Sequence, residues 1–432
     1  MLPAPLLADI TDVVTRVAVV EGYNTNTYQT VADPANPVVV RHPSPFTGLE
    51  ADVELRLQPN PDDLHVIRLQ GNVIHYEPLE QQDQSDDAAL NAAWSSRFVL
   101  SRRTYLTVTA QGTLATLNGA HLADTTLFQF DPTQARRTYW LANGETAVVH
   151  ELSPTWRIRE GVGSLISGTL YQPPTLDAAG NAYNPSGLDF VEPYEETDVF
   201  KDFSERATGD LLVVGQLAYN LYILDLTQVP PRNIGPDTQA FVTVTPGLTY
   251  RISPELIETT HVGGVLATAP PRDPDRRLVL SPTILQDVSY TREFFSVIAT
   301  AGYTYGSVNP RLGFGPTVNG SVLVVGVPYH HGGWKKFSLL ANFISSYSSL
   351  LTGVGQSATL ALYIADGEFR YALNNWLGLL GGYQIRYATI DTVQYVPPFL
   401  QNVVFFGLSG YFTTNRDIPA LTTFVAPITP PS

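Results

Sequence analysis

From Leu49 to Leu57 apolar and charged residues take strict turns. Leu49, Ala51, Val53, Leu55 and Leu57 share one face, and Glu50, Asp52, Glu54 and Arg56 share the other. The next run sets Ile67, Leu69, Gly71 and Val73 against Arg68, Gln70 and Asn72. A third sets Leu106, Val108, Ala110, Gly112 and Leu114 against Thr107, Thr109, Gln111 and Thr113. The same beat returns near the end, where Val404, Phe406, Leu408, Gly410 and Phe412 oppose Asn402, Gly407, Ser409, Tyr411 and Thr413. A period of two belongs to β-strands, whose successive side chains point to opposite faces. No stretch shows the helical period. The runs last about ten to sixteen residues, against ~5–6 in ordinary soluble sheets and ~9–11 for a strand that crosses a bilayer.

The pattern therefore predicts an all-β chain forming a single transmembrane antiparallel β-barrel, with apolar residues toward lipid and polar ones toward the interior. Hydrocarbon offers no partner to an unpaired sheet edge. The first strand, near 13–28, is accordingly expected to pair with the last, 401–415. Seventeen runs can be named directly, whereas single-chain bacterial barrels have even counts. Short and long connections alternate until about 172–209 and then change phase, which places a missed strand at 194–203 and predicts eighteen strands, with sixteen as the alternative. Pro246, inside an otherwise regular run, predicts a bulge because proline cannot donate to a ladder. The expected division is a lead at 1–12, a barrel at 13–415 and a Pro-rich tail at 416–432.

Composition agrees with this reading. The 432 residues include 22 Tyr, 19 Phe, 33 Gly and 33 Pro, a strand-and-turn vocabulary. Tyr303, Tyr305, Trp334, Trp376, Tyr387 and Tyr411 fall at strand ends, as interfacial girdles require. With no cysteine there is no disulfide or thiol chemistry, and a net charge of −15 argues against a nucleic-acid partner. No apolar run is long enough for a transmembrane helix. The opening MLPAPLLADITD lacks the basic and apolar regions of an export signal, so the numbering is expected to begin near a mature end, with a cytosolic protein as the alternative. A propeller or solenoid would show a fixed repeat, and none is visible.

Three segments carry a family likeness: VAVVEGYNTNTY at Val17–Tyr28, VSYTREFFSVIATAGYTY at Val288–Tyr305, and the closing VVFFGLSGYF. In these the chain resembles the large outer-membrane β-barrel proteins of Gram-negative bacteria. The likeness is to the myxobacterial type and to porin-like barrels encoded with exopolysaccharide-export genes. It implies an outer-membrane location and a role in transport. Such barrels usually finish on a C-terminal aromatic, whereas here Arg416–Ser432 continue beyond Phe412.

Candidate chemistry is sparse. There is no G-x-S-x-G, no phosphate loop and no H-E-x-x-H, so neither enzymatic activity nor a cofactor or metal is expected. Neighbouring His330 and His331 point opposite ways and read as a solvated turn. The acids of 189–205 (Asp189, Glu192, Glu195, Glu196, Asp198, Asp202) could offer oxygen ligands to a divalent cation but lack ordered spacing, and read as a solvated loop. The candidate functional residues are the interior charges Asp52, Glu54, Arg56, Arg68, Arg251 and Arg386, which would either set the selectivity of a pore or pair with one another. Two functions fit: a transport conduit, as a pore or the outer-membrane part of a polysaccharide exporter, and a plugged scaffold within a larger envelope complex. Expected partners are outer-membrane lipid and other envelope proteins.

Overall fold

In a computed structural model the chain is a closed sheet of eighteen antiparallel strands. The structure describes residues 10–25, 43–60, 63–77, 86–116, 138–171, 175–177, 182–183, 187–221, 224–225, 232–233, 235–268, 278–306, 314–326, 336–351, 357–391 and 399–414. The strands of the first half of the wall are β1 (Ile10–Asn24), β2 (Ser44–Asn60), β3 (Asp63–Tyr76), β4 (Asp87–Ser101), β5 (Thr104–Thr116), β6 (Thr138–Ser153) and β7 (Trp156–Tyr171). Two short strands, β8 (Thr175–Asp177) and β9 (Ala182–Tyr183), precede β10 (Gly187–Ser204) and β11 (Ala207–Asn220). Two more, β12 (Leu224–Asp225) and β13 (Arg232–Asn233), precede β14 (Asp237–Arg251). The wall continues through β15 (Leu256–Thr268), β16 (Leu278–Arg292), β17 (Phe295–Gly306) and β18 (Gly315–Gly326). It ends with β19 (Phe337–Leu351), β20 (Ser357–Ala372), β21 (Leu377–Asp391) and β22 (Phe399–Thr413).

Each wall strand pairs with its neighbour in the chain, and β1 pairs with β22 from Val14↔Thr413 to Asn24↔Val403. That seam leaves no edge, as a sheet in lipid requires. The strand inferred at 194–203 is the core of β10, which lies between β7 and β11. β1 begins at Ile10, inside the segment read as a lead. The tail at 416–432, the His330–His331 turn and Trp334 lie outside the described residues. The short strands β8, β9, β12 and β13 pair in a separate small sheet, joining the connections on either side of the β10–β11 hairpin.

The short turns at one rim share a device. Ser101, Ser153, Ser204 and Ser253 each accept a hydrogen bond on Oγ from the backbone N–H two residues later, at 3.2–3.3 Å. A serine hydroxyl can thus supply the turn's own partner where no strand neighbour exists. Asn374 does the same for Trp376 N–H at 2.9 Å.

The alternation read from the sequence is the alternation of the wall. Val17, Val19, Leu49, Leu69, Val73, Leu114, Val242, Val244, Leu339, Phe343, Val404 and Phe406 face outward and are exposed. Their neighbours Arg16, Ala18, Glu50, Asp52, Asn72, Thr113 and Thr245 face inward and are buried. Four expectations are corrected. Pro246 causes no bulge: the register is the same on both sides of it, Val244↔Gly264 and Gly247↔His261. One missing donor within a long ladder is therefore absorbed without a slip. Tyr305 is buried rather than in a girdle, its ring 6.0 Å from that of Phe241. At the strand's end the ring leaves water by folding over the interior aromatics. Tyr411 faces inward too, where its hydroxyl accepts from Ser409 Oγ at 2.7 Å. Finally, the acids of 189–205 lie not in a loop but along β10.

Candidate functional site: the barrel interior

The interior divides into two unlike halves. On β20–β22 and β1–β3 it is packed. Arg16, from the middle of β1, donates from Nη2 to Glu50 Oε2 at 2.7 Å and from Nε to Asp52 Oδ2 at 3.1 Å, and approaches Glu368 at 3.8 Å. Its side chain is 2% exposed. Arg68 reaches the other side of Asp52 at 3.8 Å, Arg56 bonds Glu54 at 2.7 Å, and Arg370 bonds Glu368. Arg386, fully buried, donates to Gln401 Oε1 at 3.3 Å, and Asp366, Tyr76 and Tyr139 are its electrostatic neighbours. Among the described residues five arginines (16, 56, 68, 370, 386) and five carboxylates (50, 52, 54, 366, 368) make up this network, which is charge-balanced. Apolar packing continues it toward the rim of the long connections through Val20, Phe46, Ile74, Leu380, Val403 and Phe405.

Five of the six candidate residues therefore meet in or beside one buried network: Asp52, Glu54, Arg56, Arg68 and Arg386. Arg251 does not. It ends β14 at the rim of the short turns and is exposed. The network's central cation, Arg16, was missed in the sequence because VTRVAVV reads as an apolar run with one intruder. Its parity with Ala18 and Val20 is the signal that would have found it.

The second half, on β6–β18, is built around glycine notches. Tyr194 of β10 lies across Gly163 of β7, where an added Cβ would come within 2.4 Å of its ring, and so reaches Glu145 of β6 at 3.0 Å. Glu145 and Glu196 flank Arg159, which bonds both. One strand group further on, His261 of β15 lies across Gly247 of β14 and bonds Asp210 of β11 through Nε2 at 2.7 Å. Asp198 and Asp287 are the next carboxylates around this pair. Among the described residues nine interior carboxylates (145, 189, 192, 196, 198, 202, 210, 237, 287) stand here with Arg157, Arg159 and His261, so this half is acidic. Among the described residues no group of three acids or histidines is arranged to hold a metal ion.

The halves also differ in access. On the second, the inward-facing Asp287, Thr300, Asn319 and Asn143 are exposed, and Thr300 and Ser321 share a hydrogen bond at 2.7 Å. Above this wall Phe314, just before β18, reaches in to within 6.5 Å of Phe190 on β10 and 5.1 Å of Phe241 on β14. An aromatic cluster thus narrows that end.

Gly247→Val tests the notch. The new side chain would start 2.3 Å from the His261 ring and 2.6 Å from Asp210 Oδ1, so the bond between them must break. The expected result is a histidine titration, followed by NMR in detergent micelles, that no longer senses Asp210→Asn. An undisturbed coupling would show that His261 reaches Asp210 by another route.

No family model and no curated protein matches the chain. The polysaccharide-export likeness therefore gains no support. Among solved structures it is similar to the copper transporter OprC (10% identity, 94% of this chain and 80% of that one, TM-score 0.43). It is also similar to the siderophore receptor PiuA of Acinetobacter baumannii (8%, 93% and 82%, 0.46) and to OccK2 of Pseudomonas aeruginosa (9%, 94% and 98%, 0.42). The barrel itself stands on the strand register and the closed seam of this chain.

Proposed function

We propose that the chain is an outer-membrane conduit whose water path runs along the β14–β18 side of the interior and favours cations. The observation that carries this is the asymmetry of the interior: a half packed around a balanced network beside an accessible, acidic one. In a confined tube with low-dielectric walls, uncompensated carboxylates raise the local concentration of cations and exclude anions. The packed half makes the bore narrower than eighteen strands alone would leave. A polysaccharide cargo is the finer possibility suggested by the sequence likeness, and a neutral sugar would be indifferent to the acids.

In planar bilayers under a salt gradient, the wild-type barrel is expected to show a reversal potential on the cation side. Asp198→Asn with Asp287→Asn should move it toward zero with little change in unit conductance. A reversal potential that ignores both substitutions ends the cation reading. A barrel that never conducts favours the scaffold, a reading supported by the buried network on β20–β3.

A further inference from the structure

The outward face is largely apolar through the middle of its strands; the neutral Gln286 interrupts it on β16, and carboxylates interrupt it in one sector. On β7 and β10 the outward positions include Glu160 and Glu195, both exposed, with Thr146, Ser164 and Thr197 around them. The register fixes their facing. Glu195 pairs with Val162, which is 59% exposed, and with Gly215; Glu160 pairs with Val148, also exposed, and with Thr197. Beside Glu195, an added Cβ on Gly215 would meet nothing within 4 Å, so the carboxylate is approachable from that side.

Depth matters more than number. At the rim below, Lys201 lies over the rings of Trp156 and Phe203, at 4.7 and 5.5 Å, the arrangement of an interfacial girdle where a lysine reaches toward water. From Trp156 to Val162 is six residues (162 − 156), roughly 20 Å of strand and roughly 15 Å of height at a tilt near 40°. Glu195 therefore sits near the middle of a lipid-facing band about 25 Å tall. Other outward carboxylates avoid this position: Glu21 is three residues from the end of β1, and Glu258, two residues into β15, accepts from Gln286 Nε2 at 2.9 Å. A charge left facing hydrocarbon marks a functional surface and calls for a counter-charge.

We propose that the outer face of β6–β7–β10 docks a second, different membrane-spanning protein, which presents a lysine or arginine to Glu195 and Glu160. A second copy of this chain does not fit. Among the described outward-facing strand residues the cations other than histidine are Lys201 and Arg292, and both lie at the rim of the short turns, far from the depth of Glu195. The inference rests on the reading of this face as membrane-embedded, and the test separates the two.

A photoreactive phenylalanine analogue replaces Val162, between the two acids, and separately Val404, on the apolar face near the seam. Both barrels are irradiated in outer membranes of the producing organism. Expected is an adduct at 162, absent at 404, whose cross-linked peptide comes from another protein and carries a lysine or arginine within a membrane-spanning segment. Glu160→Leu with Glu195→Leu should remove at least nine-tenths of that adduct while the barrel keeps its heat-modifiable gel shift. Lipid adducts alone at 162, a cross-link to a second copy, or a partner peptide with no basic residue each overturn the proposal. Loss of the gel shift in the unmodified protein would instead overturn the membrane reading beneath it.

Discussion

Arg16→Met is expected to weaken the barrel by about 3–5 kcal/mol, the usual consequence of removing one member of a buried ionic network. Glu50, Asp52 and Glu368 converge on this one guanidinium, and water does not reach it. Methionine fills part of the volume but leaves three carboxylates facing two remaining cations, Arg68 and Arg370. The measurement is the urea midpoint of the folded-to-unfolded band shift in lipid vesicles. Adding Glu50→Gln and Asp52→Asn to Arg16→Met should recover part of the loss, because neutral amides remove the repulsion. A loss below about 1 kcal/mol, typical of solvated ion pairs, would show that water fills this half as well.

The second large effect lies on the outer wall. Ala301→Arg, six residues into β17, puts a guanidinium toward lipid and should cost about 2–4 kcal/mol near the midplane. Thr300→Arg, its neighbour in the strand and facing the accessible interior, should assemble normally. Folding yield into vesicles, read as the heat-modifiable fraction, separates the two. Equal yields would refute the assignment of faces on β17.

The strands and their faces were legible in the sequence because a membrane barrel asks each residue only one question, lipid or interior, and the period of two answers it. Even the strand hidden at 194–203 could be placed, since connection lengths keep a parity. What the sequence hid was whatever depends on second-neighbour strands. Nothing near His261 announces Asp210, fifty-one residues away; the two meet because Gly247 between them has no side chain. Arg16 and Glu368 are joined only by the curvature of the closed wall. The acids of 189–205 read as a loop because charge density outweighed a faint alternation, and splitting them by parity gives inward Glu192, Glu196, Asp198 and Asp202 against outward Glu195, while Asp189 is turned inward by the register shift beside it. Asn402, expected on the polar face with Ser409 and Tyr411, lies instead on the outer face, where Tyr383 donates to it at 2.6 Å; its even number puts it with Val404, and its polarity hid that.

The seam between β1 and β22 sets the order in which the molecule can be made. Each of the other wall pairings joins chain neighbours and can form as soon as both strands exist. The seam joins Val14 to Thr413, and closing a loop of that length carries a chain-entropy cost of about 5 kcal/mol beyond a constant. It rewards that cost only once all eleven of its register pairs, Val14 to Asn24, can zip together. Until then β1 and β22 are two open edges on a curling sheet, and each is a template for the wrong strand. The barrel is therefore committed late, when its last strand arrives, and the seam is the place where a nascent sheet is most exposed to capture or to error.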